Sequence, residues 1–174
     1  MQKLLVTWLA LVVSALVANG QGLTDLGWTT YSNPRFGGML RYPSQVFTSR
    51  RASDARDGVL FATRDGRAKL LVGAFENTEG HSPRSYQAFI GTESYGGLRV
   101  DYAPVGQSWS VLSGTRGEMM IYEKAMFTCG GAVINSFAVV YPIAEREFYD
   151  PIVEDIEDSF KPGTVACDRH ATSF

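Results

Sequence analysis

Residues 118–141, EMMIYEKAMFTCGGAVINSFAVVY, contain two stretches in which apolar side chains occupy both alternating sets of positions. In the first stretch one set comprises Met119, Ile121, Ala125 and Phe127, and the other comprises Met120, Tyr122 and Met126. The second stretch repeats the pattern with Ala132, Ile134, Ala138 and Val140 against Val133, Phe137, Val139 and Tyr141. Because successive side chains of a strand point to opposite faces, two apolar faces indicate central strands that are covered on both sides.

The residues around this stretch predict more strands and two helices. Strands are predicted over 59–63, 68–75, 98–103 and 108–115, after a short strand that ends at Pro43. The first two form a hairpin around Asp65-Gly66, a dipeptide that favours the positive φ angles of a tight turn. Ser82 and Pro83 are typical of a helix N-cap and first helical residue. We therefore predict an α+β fold, with a mainly antiparallel sheet of about six or seven strands sandwiched by helices.

The closing helix is predicted from an apolar stripe at helical spacing, formed by Tyr149, Ile152, Val153, Ile156 and Phe160. Asp150-Pro151 either caps this helix or kinks an earlier turn that begins at Ala144. The acidic residues beside the stripe are interpreted as a solvated helix face. With no internal repeat and no linker, residues 21–174 are predicted to form a single domain, with a structured core over about 28–163 and a tail over 164–174.

Residues 1–20 have the order of features of a secretory signal peptide. A short positive start with Lys3 precedes a charge-free run over 4–17, and small residues follow at Ala18-Asn19-Gly20. The alternative is a membrane anchor, but such a run forms a helix of only about 22 Å, shorter than a hydrocarbon core of about 30 Å. We predict cleavage after Ala18 or Gly20 and a periplasmic or secreted mature protein without a transmembrane anchor.

Cys129 and Cys167 are the only cysteines of the chain. In an oxidising compartment an even number favours a disulfide, and the absence of CxxC spacing gives no support to a thioredoxin-like or zinc site. The alternative is a pair of unpaired buried thiols. We predict a structural disulfide between the two residues, which would fix the tail after Gly163.

Catalytic and cofactor motifs are not evident in the sequence. There is no GxSxG elbow, GxxxxGK[ST] loop, GxGxxG or HExxH, and the two histidines, His81 and His170, have no evident third ligand or catalytic partner. Glu118, Glu123 and Lys124 are interpreted as single charges at sheet edges or beside a partner charge. We predict no cofactor, no metal site and no catalytic residues, and the formal net charge of −2 does not favour nucleic-acid binding.

The polar segment 44–57 is predicted to be a loop, and it carries Arg50, Arg51 and Arg56 within seven positions. The planar guanidinium fork matches phosphate and carboxylate groups. We predict that these arginines bind an anionic envelope component or an acidic face of an envelope protein. The alternative is an ordinary charged surface.

Several phrases of the sequence are similar to those of the Mog1/PsbP-like fold family. They are Tyr31-Ser32-Asn33 through Phe36 to Leu40-Arg41-Tyr42-Pro43, the Asp57-Gly58 and Ser113-Gly114 pairs, and the ending Tyr149-Asp150-Pro151-Ile152-Val153 to Ser159-Phe160-Lys161-Pro162. They resemble exported alphaproteobacterial proteins of the DcrB/PsbP-like type, over most of residues 28–163. The resemblance implies an antiparallel sheet between helices and a binding role, and it implies no catalytic residues.

Taken together, these observations predict an exported, non-catalytic accessory or binding protein of the envelope. The alternative is a secreted hydrolase whose site is assembled from dispersed residues, such as Ser113 or Asp101 near Glu118. A carboxylate or serine in a deep pocket, with a base within hydrogen-bond reach, would favour the hydrolase.

Overall fold

The computed structural model describes residues 26–167, so the predicted signal peptide and the end of the tail lie outside the described residues. The strands are β1 (Trp28–Ser32), β2 (Met39–Pro43), β3 (Ser49–Ala52), β4 (Gly58–Ala62), β5 (Lys69–Glu76), β6 (Arg99–Tyr102), β7 (Trp109–Arg116), β8 (Met119–Thr128) and β9 (Val133–Pro142). The helices are α1 (Pro83–Glu93) and α2 (Arg146–Ser159). Among these residues no helix is both long enough and apolar enough to cross a lipid bilayer.

Seven of the strands form one antiparallel sheet in the order β3-β4-β5-β9-β8-β7-β6, and β1 pairs with β2 in a separate hairpin. The predicted α+β class is confirmed. β8 and β9 lie next to each other inside the sheet, as their two apolar faces indicated. The predicted hairpin around Asp65-Gly66 is also confirmed, because β4 and β5 pair directly across it.

One face of the sheet packs against α2 and the β1–β2 hairpin. Phe61, Leu70 and Val139 lie in neighbouring strands in the same register row and are buried in this layer. The α2 stripe of Ile152, Val153, Ile156 and Phe160 completes the layer, together with Tyr31 and Leu40 from the hairpin. The apolar stripe of α2 therefore faces the sheet, because it forms part of this larger core.

α1 packs against the opposite face, over β7 and β8. Its start is a capping box in which Ser82 accepts a hydrogen bond from the Ser85 backbone and the Ser85 side chain accepts one from the backbone of Ser82. Tyr86 and Ile90 are buried here, with Leu112, Ala125, Phe127 and Ile134 of the sheet. This second core is smaller because α1 covers only part of the sheet.

The segment predicted as a loop over 44–57 contains strand β3. Its four residues, Ser49 to Ala52, are all exposed and pair with Ala62 to Val59 of β4. An exposed edge strand lacks the apolar alternation by which strands are recognised in sequence, since it is held to the sheet mainly by backbone hydrogen bonds and not by apolar packing.

α2 continues through Pro151 without a break from Arg146 to Ser159, so Asp150-Pro151 does not cap the helix. A proline at this position removes one backbone donor of the helix. Asp150 adds side-chain contacts at the same turn, since the Tyr141 hydroxyl donates to it at 2.6 Å and Arg146 pairs with it at 3.1 Å.

The acidic face of α2 is only partly solvated, which corrects its interpretation from the sequence. Glu157 accepts hydrogen bonds from the Tyr122 hydroxyl and from Lys124 Nζ, the latter at 2.7 Å. A partner charge was one of the two alternatives predicted for Lys124, and Glu157 is that partner. The contact joins α2 to β8 through side chains as well as through the apolar core.

The predicted Cys129–Cys167 disulfide is confirmed, with a Cα–Cα distance of 4.7 Å. A second tie lies beside it, where buried Asn135 accepts a hydrogen bond from the Gly163 backbone at 2.8 Å and donates to Thr128 at 3.1 Å. Gly163 lies so close to the Phe36 carbonyl that a Cβ at this position would collide with the oxygen. The chain after α2 is thus fixed against β8, β9 and the β1–β2 hairpin.

Candidate binding groove

α1 covers only one part of the sheet face on which it lies. α1 lies over β7 and β8, whereas no helix among residues 26–167 covers β4 or β5 around Leu71 on the same face. Leu71 and Phe75 of β5 point from this face and are 43% and 39% exposed. Large apolar side chains at that exposure, in a row along one strand, indicate a surface available for contact.

An open groove occupies this uncovered region, between α1 and the β3 edge of the sheet. Its volume is about 830 Å³. The residues that line this α1 groove, as we call it, are Arg51, Ala52, Ser53, Asp54, Gly58, Val59, Leu60, Leu71, Val72, Gly73, Tyr86, Ile90, Ser94, Tyr95, Glu123, Ser136 and Ala138. Phe75 and Phe89 extend the apolar wall beyond one end, where they line a smaller cavity of about 350 Å³ with Tyr86 and Ile90.

A single register row crosses the groove from rim to base. Arg51 pairs with Leu60, Leu60 with Leu71, Leu71 with Ala138, and Ala138 with Glu123. Cross-strand partners lie on the same face, so all five side chains belong to the α1 side of the sheet. The row begins with an exposed positive charge, passes over apolar residues and ends at a buried carboxyl group.

The next row is made of small residues, and it deepens the floor of the groove. Gly58 pairs with Gly73, Gly73 with Ser136, and Ser136 with Ala125. A Cβ built on Gly73 would meet only the Asp57 carbonyl, at 3.7 Å. The recess between Leu71 and Phe75 therefore results from small residues in four adjacent strands.

Glu123 lies at the base of the groove, below α1, with 6% of its surface exposed. The Tyr86 hydroxyl donates to one carboxyl oxygen at 3.3 Å, and the Tyr95 hydroxyl donates to the other. Burial raises the pKa of Glu123 to about 7, although the two tyrosine hydrogen bonds act in the opposite direction. Burial, together with the same carboxylate, raises the pKa of both tyrosines.

This carboxyl group, whose pKa lies near neutral pH, connects β8 to α1 through Tyr86 and to the segment after α1 through Tyr95. None of the described ion pairs includes Glu123, so its hydrogen-bond partners are neutral groups. Because the pKa of each tyrosine is raised, both hydroxyls stay protonated near neutral pH and act as hydrogen-bond donors. Over residues 26–167, no cluster of three His, Cys, Asp or Glu side chains could hold a metal ion.

The three arginines selected from the sequence lie in different settings. Arg50 and Arg51 are consecutive residues of β3 and pair with Phe61 and Leu60, which face opposite sides of the sheet. Arg56 lies in the turn before β4 and has a φ of 57°. Of the three, only Arg51 lines the α1 groove.

The residues named for the hydrolase alternative do not form a site. Ser113 of β7 pairs with Tyr122 and lies on the α2 side of the sheet. Asp101 lies on the exposed edge strand β6, 3.8 Å from Arg99. Glu118 is exposed in the β7–β8 turn, where its carbonyl accepts a hydrogen bond from Ile143.

Glu123 was not recognised as a site residue from the sequence, and its interpretation as a lone charge at a sheet edge or beside a partner charge is wrong. It shares its parity in β8 with Ile121 and Ala125, both of which are buried. A charged residue at an inward position of a central strand was the available signal, because a buried carboxyl needs hydrogen-bond partners. Those partners come from α1 and the residues just after it, which are remote in sequence.

The comparisons with known proteins identify the fold. Neither a protein-family model nor a curated protein sequence matches this chain. The chain is similar to the solution structure of cyanobacterial PsbP (CyanoP) from Synechocystis sp. PCC 6803, with a TM-score of 0.55 and 14% sequence identity over 82% of this chain and 95% of that one. The fold is therefore PsbP-like, which confirms the fold that the resemblance implied.

Proposed function

We propose that this chain is an exported, non-catalytic accessory protein that binds a partner in the α1 groove. The observation that carries the proposal is the exposed Leu71–Phe75 strip beside α1, within a groove of about 830 Å³. Apart from Glu123 and Ser136 its floor is made of apolar residues and glycines, and its rim carries charged side chains, a combination typical of protein-binding surfaces. The PsbP-like fold, which the chain shares with cyanobacterial PsbP, also fits a non-catalytic accessory role.

Export is the second part of the proposal. The charge, apolar and small-residue pattern of residues 1–20 supports a cleaved signal peptide. The Cys129–Cys167 bond also supports it, because disulfides persist mainly in oxidising compartments such as the periplasm. We therefore place the mature protein in the periplasm or outside the cell.

Site-specific photo-crosslinking in cells tests the groove directly. Leu71 is replaced by benzoylphenylalanine, and Phe148, which is 39% exposed on α2, is replaced in the same way as the matched control. We expect an adduct of defined mass from position 71 in the envelope fraction and no such adduct from position 148. Equal adducts from both positions, or none from position 71, would contradict the proposal.

Of the arginines at the β3 edge, Arg51 lines the groove and contributes electrostatic attraction to the same partner. Replacing Arg50, Arg51 and Arg56 together by alanine should abolish the position-71 adduct while changing the free energy of unfolding by only a few tenths of a kcal/mol. Surface charge contacts are screened beyond about 8 Å at physiological ionic strength, so the adduct should also weaken with added salt. An adduct that persists in the triple variant at low salt would assign these arginines to an ordinary solvated surface.

A further inference from the structure

We propose that the α1 groove receives an amphipathic helix of a partner protein, with an acidic flank along the Arg51 rim and a basic flank on the α1 side whose side chains reach Glu123 at the base. This inference rests on the proposed function and specifies the structure and charge of the partner. It arises from the width of the uncovered sheet, the apolar floor, the exposed Arg51 at the β3 rim and the buried Glu123 carboxyl at the base beside α1.

The width of the groove suits one helix. Neighbouring strands lie about 4.8 Å apart, so the Cα atoms of Arg51 and Glu123, four strand spacings apart, are separated by about 19 Å. α1 overlies β8 and Glu123, so about half of its own diameter, roughly 5 Å, is taken from that width. The remainder is close to the 10–12 Å diameter of an α-helix, and helices pack side by side at 8–10 Å. A partner helix beside α1 would complete the layer that α1 only begins.

The floor of the groove matches the apolar stripe of such a helix. Leu71 and Phe75 lie on either side of Gly73, whose neighbours Gly58 and Ser136 are also small. Large side chains flanking a row of small ones form a recess that accepts one large apolar side chain from above. Phe89 of α1, which is 42% exposed, extends the apolar wall in the direction of Phe75.

The charges give the partner its orientation. Arg51 is exposed on β3 and belongs to none of the described ion pairs, so it can bind a carboxylate of the ligand. Glu123 has only neutral hydrogen-bond donors around it, from Tyr86 and Tyr95, although it borders the groove. An ammonium or guanidinium group that reaches the base of the groove would give this buried carboxyl the opposite charge that it lacks. A helix with an acidic flank toward Arg51 and a basic flank toward Glu123 can lie in the groove in only one N-to-C direction.

A patterned peptide library tests the inference on the purified mature protein. Phage-displayed peptides of 18 residues carry leucine along one helical stripe, and the flanking positions are randomised among Glu, Lys and Gln. We expect selection against the wild-type protein to enrich Glu on one flank and Lys on the other. The Arg51→Glu variant should change the enriched residue of the first flank from Glu to Lys, and Glu123→Gln should remove the preference for Lys on the second flank.

Arg50→Glu is the matched control, because Arg50 is adjacent in sequence but lies on the α2 side of β3. It should leave both flank preferences unchanged. Arg51 is exposed on an edge strand, so Arg51→Glu provides a result that does not depend on the folding of the Glu123→Gln protein. Enrichment without flank preference, an Arg50→Glu effect equal to that of Arg51→Glu, or no binding peptide at all would overturn the inference. If one of these peptide results is obtained and position 71 still cross-links a partner in cells, the partner helix is rejected and the proposed function stays in place.

Discussion

The free energy of unfolding of the Glu123→Gln variant, compared with that of the wild type, should increase as the pH rises. Burial raises the pKa of this carboxyl from 4.5 to about 7. Each pKa unit by which the folded and unfolded states differ corresponds to about 1.4 kcal/mol. The charged form of Glu123 therefore costs the folded state about 3 kcal/mol of stability above pH 7.

The direction of the effect follows from where the proton is bound. Below about pH 4.5 the carboxyl is protonated in both states and carries no penalty. Between pH 4.5 and 7 the unfolded chain releases the proton while the folded protein retains it, so the stability of the wild type falls as the pH rises. Above pH 7 the loss is complete. The glutamine side chain of the Glu123→Gln variant does not titrate, and its amide keeps a carbonyl oxygen and an NH₂ group within reach of Tyr86 and Tyr95.

Urea unfolding of wild type and Glu123→Gln at pH 5, 6, 7 and 8 measures this difference. The free energy of unfolding of the variant minus that of the wild type should rise by about 2–3 kcal/mol between pH 5 and pH 8. Glu154→Gln, at an exposed position of α2, controls for the loss of one negative charge. A Glu123→Gln difference that stays constant across these pH values would refute the reasoning, because it would show that the carboxyl ionises equally well in both states.

Three further predictions concern export and the closure of the fold. Intact-mass measurement of protein from the envelope fraction should show that residues 1–20 are absent, and a mass near the full 19.1 kDa would contradict cleavage. Replacing Cys129 and Cys167 together by alanine should lower the free energy of unfolding by about 3–4 kcal/mol, because the bond closes a long loop; equal stability to wild type in urea would contradict a structural role. Asn135→Ala should cost about 1–3 kcal/mol in the same assay, since it leaves the Gly163 amide without its acceptor, and an unchanged midpoint would show that another group replaces it.

The local elements were largely predictable because each has a signal within a few residues. Asp65-Gly66 favours the turn between β4 and β5, and Ser82-Pro83 begins α1 as predicted. The double apolar pattern of 118–141 placed β8 and β9 inside the sheet. β3 had no such signal, since Ser49 to Ala52 expose every side chain and are held by backbone hydrogen bonds to β4.

The sequence by itself determined the α+β class, the central strands and the pairing of Cys129 with Cys167, because alternation, turn chemistry and the cysteine count are properties of the residues themselves. Only the tertiary structure decided that α1 covers part of one sheet face and leaves Leu71 exposed beside it. It also decided the role of Glu123, whose two hydroxyl partners come from residues 28 and 37 positions away. A carboxyl group has the same chemistry in any sequence, and its burial and its neighbours, which set its pKa, exist only once the strands and α1 have packed together.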